Sequence, residues 1–342
     1  MIVATALLVP AAAFMASMSP SKVSASTDCS SAPTANSTTT SIAPTTTAPP
    51  ACQSTTISVG STPYGLAITP DGSKVYVPNY NGGTVSVIRT SDNTVTDTLT
   101  GLASANDIVI SPDGSTAYIS QYAGGTVAVV QTSDNTVIAN INVGFFPTAI
   151  DISPDGSLLY VSTYTANEVK VIVTSINAII GSITVGTNPQ DVKFNPNGTF
   201  AYVANLWTDN VSVIDAATNT VTGTINVGTD PAHLAMSPDD TLAYVANSGD
   251  NTVSVINTST NTLTATVIVG NGPNDVSFTP DGSFAYVSNY SSNNISVIDT
   301  STNAVVNTIT VGSGPISIAI SPDGTRAYVS NFGSNSVSVL CL

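Results

Sequence analysis

The chain has 342 residues and is 42% apolar but only 8% charged, with 21 acidic side chains against 6 basic ones and a formal charge of −15. The apolar share excludes a disordered chain, and so few Lys and Arg exclude a binder that neutralises nucleic-acid phosphates. Ser, Thr and Asn dominate the polar residues, and they suit strands and turns better than helices.

Residues 1–18, MIVATALLVPAAAFMASM, are apolar and carry no charged side chain, and VSA at 23–25 offers a small-x-small cleavage site. This predicts a secretory signal peptide over residues 1–25. The alternative is a retained anchor, but Pro10 interrupts the run and its length is short for a spanning helix, so the mature chain is expected to have no transmembrane span. Residues 26–52 mix Ser and Thr with Pro and lose all apolar periodicity, which predicts a disordered stalk. The two segments together predict an extracellular or cell-surface location. Cys29 falls in the stalk, where it either pairs with a second chain or stays a free thiol.

From residue 53 onward the sequence repeats. Pro70, Pro112, Pro154, Pro196, Pro238, Pro280 and Pro322 are each 42 residues apart. Each begins a PDG-type turn, with PNG at 196–198 and PDD at 238–240 as the exceptions. Pro and Gly are the residues such a turn requires, and the turns lack the alternating acidic ligands of a calcium loop. Within one unit, HLAMS, LAYVAN, TVSVIN and TLTATVIV read as four short strands separated by turn residues. Four antiparallel strands repeated seven times predict an all-β, seven-bladed β-propeller over residues 53–342. A β-solenoid is the competitor, but it uses shorter coils and lacks these hairpin turns.

The last unit stops after its third strand, NSVSVLCL at 335–342, while STTISVG at 54–60 matches a fourth strand with no partners before it. The N-terminal strand is therefore expected to complete the last blade and remove two exposed edges. On the 42-residue ruler, Cys341 takes the phase of Asn257 and Cys52 that of Thr262, residues that should face each other across a hairpin. Cross-strand neighbours lie within disulfide reach, which predicts a Cys52–Cys341 bridge.

The second strands carry YVPN at 76–79, YISQ at 118–121, YVST at 160–163, YVAN at 202–205 and 244–247, and YVSN at 286–289 and 328–331. With the NTVSVI-like strands that follow, the chain resembles the YVTN-type β-propeller repeat proteins of surface layers and cell envelopes. The resemblance covers residues 53–342. It implies a propeller fold strongly and a function weakly, because such propellers serve as scaffolds, as binders and, in related groups, as lactonases or lyases.

Two sets of equivalent positions are candidate sites. At the entrance to the innermost strand the seven units present Gly65, Asp107, Ala149, Asp191, His233, Asp275 and Ser317. Asp107, Asp191, His233 and Asp275 would share one rim, where carboxylates and an imidazole suit a divalent metal; alternatively each Asp caps its own turn. After the second strand come Tyr80, Tyr122, Tyr164, Leu206, Ser248, Tyr290 and Phe332, with Trp207 next to Leu206. These predict an aromatic collar on the same face as the rim, suited to sugar or peptide recognition, or else packing between blades. N-glycosylation sequons occur at Asn36, Asn197, Asn210, Asn257, Asn289 and Asn294.

The chain has one His, one Glu and no GxSxG motif. The expectation is a secreted, non-enzymatic binding or scaffold module that engages a cell-envelope component, glycan, peptide or protein through rim and collar. No cofactor is expected beyond a divalent metal, no nucleic acid is expected as a partner, and self-association would run through Cys29 or lattice contacts. The alternative is a propeller lactonase or lyase using His233 with Glu168 or the rim Asp residues.

Overall fold

The structure is a computed structural model that describes residues 52–144 and 146–342; the predicted leader, the stalk up to residue 51, Cys29 and the sequon at Asn36 lie outside the described residues. Seven four-stranded antiparallel sheets form the blades of a β-propeller. Six are continuous in sequence, at 67–100, 105–142, 147–184, 189–226, 231–268 and 273–310. In blade five the strands are Pro231–Met236, Leu242–Asn247, Thr252–Asn257 and Thr262–Ile268, from the axis outward. The second and third strands are buried on both faces, the third alternating Val and Ile with Thr, Ser and Asn, whereas the fourth is largely exposed and rich in Thr. The core lies between blades: Tyr244, Val253 and Val255 of blade five pack on Val276, Phe278 and Val287 of blade six.

The Tyr and Asn of the repeated motif each have a structural task. Tyr76 donates its hydroxyl to Asn135 Oδ1 of the next blade at 2.6 Å, and Tyr160 does the same to Asn219 at 2.5 Å and Tyr202 to Asn261 at 2.8 Å. Asn79 donates through Nδ2 to Thr84 Oγ1 and Ser86 Oγ, both at 3.0 Å. Its carboxamide presses on Gly60, where an added Cβ would lie 2.5 Å from Asn79. The same close approach recurs at Gly186, Gly228, Gly270 and Gly312, each against the next blade's Asn, whereas Gly144 has open space and the equivalent position in another unit is Leu102.

The PDG segments are Asx turns. Asp71 Oδ1 accepts from Thr69 Oγ1 at 2.6 Å, from the Ser73 N–H at 2.9 Å and from Ser73 Oγ at 2.8 Å. These donors hold its carboxyl below the usual range, the Thr69 hydroxyl foremost. At the two exceptions one blade supplies what the other lacks. Asp240 stands where most units have Gly, at φ 62, and accepts from Asn195 Nδ2 at 3.0 Å and also from Asn197.

The ring closes as the sequence predicts. Cys52–Ser58 pairs antiparallel with Ser336–Cys341, in a register that sets Cys52 opposite Cys341 and Ile57 opposite Val337. The first strand begins at Cys52, one residue before the expected domain boundary. Arg326 Nη1 donates to Thr90 O at 2.6 Å, and Tyr328 donates to Asn93 Oδ1 at 3.2 Å, both across the seam. Among the described residues the buried Tyr286 hydroxyl has no hydrogen-bond partner, and on the 42-residue ruler the sequence has Ala51 where the other units have Asn.

The strands leave no α-helix among the described residues. Single 3₁₀ turns occupy Thr174–Ile176 and Leu206–Thr208. Asn289 is fully buried, which removes it as a glycan acceptor. Among the described residues no helix is long and apolar enough to cross a membrane.

Candidate functional site

The innermost strands enclose a cavity of about 470 Å³ on the propeller axis. Its walls include Asp107, Asp151, Lys193, His233 and Asp275 among apolar side chains such as Ile108, Phe194, Leu234 and Phe278. The lining runs from Tyr64 at one end to Pro154, Pro196 and Pro238 at the other. These prolines begin the Asx turns, so the cavity reaches the face that carries those turns.

The rim carboxylates stitch neighbouring blades together rather than cap their own turns. Asp107 Oδ2 accepts the Ile150 N–H at 3.1 Å, Asp191 Oδ2 the Leu234 N–H at 2.9 Å, and Asp275 Oδ2 the Ile318 N–H at 3.0 Å. Asp151, at a phase where most units carry small or apolar residues, does the same to the Phe194 N–H at 2.7 Å. Each bond joins one innermost strand to the next.

Asp191 is fully buried between two cations. His233 Nδ1 lies 3.6 Å from its Oδ2, and Lys193 Nζ lies 3.7 Å from its Oδ1. Burial alone would push the Asp191 carboxyl up, but Lys193 and His233 outweigh it and hold it low. Burial alone would push the His233 imidazole down, but the charge and hydrogen bond of Asp191, with Asp275 and Asp107 behind, raise it to about 9. Burial alone would push the Lys193 ammonium down, but Asp191, then Asp151, Asp107 and Asp275, outweigh it and raise it. Burial pushes Asp151 up to about 6 against the pull of Lys193, and it raises Asp107 and Asp275 as well.

Asp107, Asp191, His233 and Asp275 do share one level of the channel, as their common phase predicts, but they do not converge. Among the described residues no group of three or more His, Cys, Asp or Glu side chains is placed to hold a metal ion. Their spacing around the axis and their backbone partners account for this. Glu168 is not brought to His233. It opens the strand Glu168–Val173, does not line the cavity, and has Lys170 Nζ 2.5 Å from its Oε1.

The aromatic collar exists, as an open arc. Each collar residue is fixed by a backbone bond to the loop entering the innermost strand of its own blade, as in Tyr80 N–H to Thr62 O at 2.9 Å and Tyr164 N–H to Phe146 O at 3.0 Å. Ring centroids follow from Trp207 to Tyr164 at 5.9 Å, Tyr122 at 6.5 Å and Tyr80 at 5.9 Å. Tyr64 bridges Tyr80 at 6.2 Å to Phe332 at 6.3 Å, and Tyr290 follows at 6.3 Å. Phe146 packs on Tyr122 at 4.9 Å. Blade five, with Ser248, leaves the gap. Trp207 ends the arc and is 64% exposed.

The collar side chains and the cavity lining are different sets of residues. Tyr80, Tyr122, Tyr164, Trp207, Tyr290 and Phe332 do not line the cavity, and Tyr64 stands between the two sets of side chains. Tyr64, Phe146, Asp151 and Lys193 are absent from the sequence-predicted site. Each breaks the repeat at its phase: the positions equivalent to Tyr64 hold Asn106, Thr148, Gln190, Ala232, Asn274 and Ile316.

The chain is similar to known propellers in sequence and in fold. A family model described as lactonase, 7-bladed beta-propeller, matches residues 90–184, 145–226 and 186–342. Comparison with curated proteins finds no match. A chain of Kuenenia stuttgartiensis hydrazine synthase shares the fold with a TM-score of 0.77 and 22% identity, over 84% of this chain and 97% of that one.

Proposed function

The chain belongs to the seven-bladed β-propeller lactonase family, and from that premise we propose a secreted or cell-surface binding module that holds its ligand on the aromatic arc without turning it over. The continuous run of rings ending in exposed Trp207 carries this reading. Flat rings with polar tips complement the C–H faces and hydroxyls of sugars, so a cell-envelope glycan is the proposed ligand, ahead of a peptide or protein. The apolar leader and the Ser/Thr/Pro stalk support the location, and the YVxN motifs support a likeness to surface-layer propellers. The register that opposes Cys52 to Cys341 supports a disulfide, which suits an oxidising compartment. Trp207→Ala is expected to weaken binding of a cell-wall polysaccharide about tenfold or more by calorimetric titration. An unchanged affinity would remove the arc as the binding face.

The family match favours a second reading, lactone hydrolysis at His233. An imidazole raised to about 9 is protonated at neutral pH, so it would act as a proton donor or charge stabiliser and not as a base. On the binding reading, wild type and His233→Ala should both leave a panel of sugar lactones at the uncatalysed rate. Turnover by wild type that the variant loses would establish the enzyme instead.

A further inference from the structure

The cavity on the axis has a charge pattern that the stitching of blades does not explain. Asp107, Asp191 and Asp275 recur at one phase, and each bonds the next strand. Asp151 and Lys193 occur once each, in adjacent blades, at a phase otherwise held by Ala67, Val109, Ala235, Ser277 and Ala319. In a chain this repetitive, two opposite charges placed side by side inside the channel are departures that call for a cause.

They do not simply neutralise each other. The ion pair of Lys193 is with Asp191, at 3.7 Å, and its side chain is 31% exposed. Asp191 is shared with His233, while Asp107 and Asp275 also line the cavity, each with Oδ2 taken by a backbone N–H of the next strand and pushed by burial towards its neutral form, so Lys193 and His233 are the cations left to face a ligand when the imidazole is protonated. Asp151 faces the same cavity from the neighbouring blade, and one of its oxygens accepts the Phe194 N–H. The result is a positive wall at Lys193 and His233 and a negative one at Asp151 in the neighbouring blade, in a cavity also lined by Leu234, Met236 and Phe278. A ligand bearing only one charge would satisfy one wall and leave the other unmatched. A cavity of about 470 Å³ holds a molecule of single-residue size with room for water.

We infer that this well is a binding site for a small zwitterion of the free amino-acid class, with its carboxylate on Lys193 and His233 and its ammonium on Asp151. The proposed entrance is the face of the Asx turns, whose prolines stand at one end of the lining with Tyr64 at the other. Neither end of a peptide presents both charges on one carbon, so the free amino acid is the matching form. The site is separate from the aromatic arc and does not depend on the reading given to that arc.

The test is a titration of the whole protein, by calorimetry and by thermal shift, with leucine, alanine and glycine. Isopentylamine and isovalerate, each carrying one charge on a leucine-like tail, are the comparison ligands. The expected result is saturable binding of leucine with both single-charge analogues at least about tenfold weaker. Asp151→Asn keeps an oxygen for the Phe194 N–H and should reduce leucine to the affinity of isovalerate. Lys193→Met should reduce it to that of the amine, and Trp207→Ala should change nothing. Equal binding of leucine and isopentylamine would overturn the assignment in favour of a plain cation site. Absence of saturable binding by all three amino acids would overturn it altogether.

Discussion

Cys52→Ser is expected to lower the free energy of unfolding by about 2–5 kcal/mol, measured by denaturant titration without reductant. The seam has no covalent turn: its outer strand, Cys52–Ser58, is held by backbone bonds to Ser336–Cys341. A sulfur bridge between these two residues in direct register would close nearly the whole ring and restrict the unfolded chain over that entire length. Cys341→Ser should lose the same amount, and the double variant no more than either single one. Dithiothreitol should bring wild type down to the variants and leave them unmoved. Four equal midpoints under both redox conditions would show that the seam holds without sulfur.

Asp191→Ala is expected to destabilise the protein by about 3–5 kcal/mol, because it strands buried positive charge and removes the acceptor of the Leu234 N–H;. The change should also alter the pH dependence. The folded-state pKa of His233 is raised from 6.5 to about 9. Its contribution is therefore complete below pH 6.5 and fades as pH climbs through 9, by up to about 3 kcal/mol. The Asp191 carboxyl is held low, so its own contribution is present above the usual carboxylate range and is lost as acid protonates it. Thermal midpoints of wild type should fall between pH 6.5 and 9, and those of Asp191→Ala and His233→Gln should stay nearly flat over that window. An equal alkaline fall in all three proteins would remove Asp191 and His233 as its source.

The ring and its closure were legible because a period of 42 residues repeats without insertion, so phase alone locates a residue in its blade. The same phase put Cys52 opposite Cys341 and grouped the collar residues. Phase does not say where a carboxylate reaches. Asp107 finds the N–H of Ile150, 43 residues ahead on another strand, a partner that exists only once two blades stand side by side. Nor does a search for shared positions find side chains that occur once. Tyr64, Asp151 and Lys193 fall outside the two phases considered, although their departure from the repeat is plain in the sequence. Reading the exceptions as closely as the rule would have found the cavity's charged walls and the aromatic residue that separates them from the arc.

The seam also orders events during synthesis. Blades one to six each consist of consecutive chain, so each can assemble as it leaves the ribosome. Blade seven cannot, because its outer strand emerges first and its partner, Ser336–Cys341, emerges after every other strand. Until then Cys52–Ser58 has to wait unpaired while six sheets stack beside it, and the circle snaps shut in one late step. A nascent protein halted before residue 336 would therefore be an arc with two sticky ends, ready to join a neighbour's arc instead of itself.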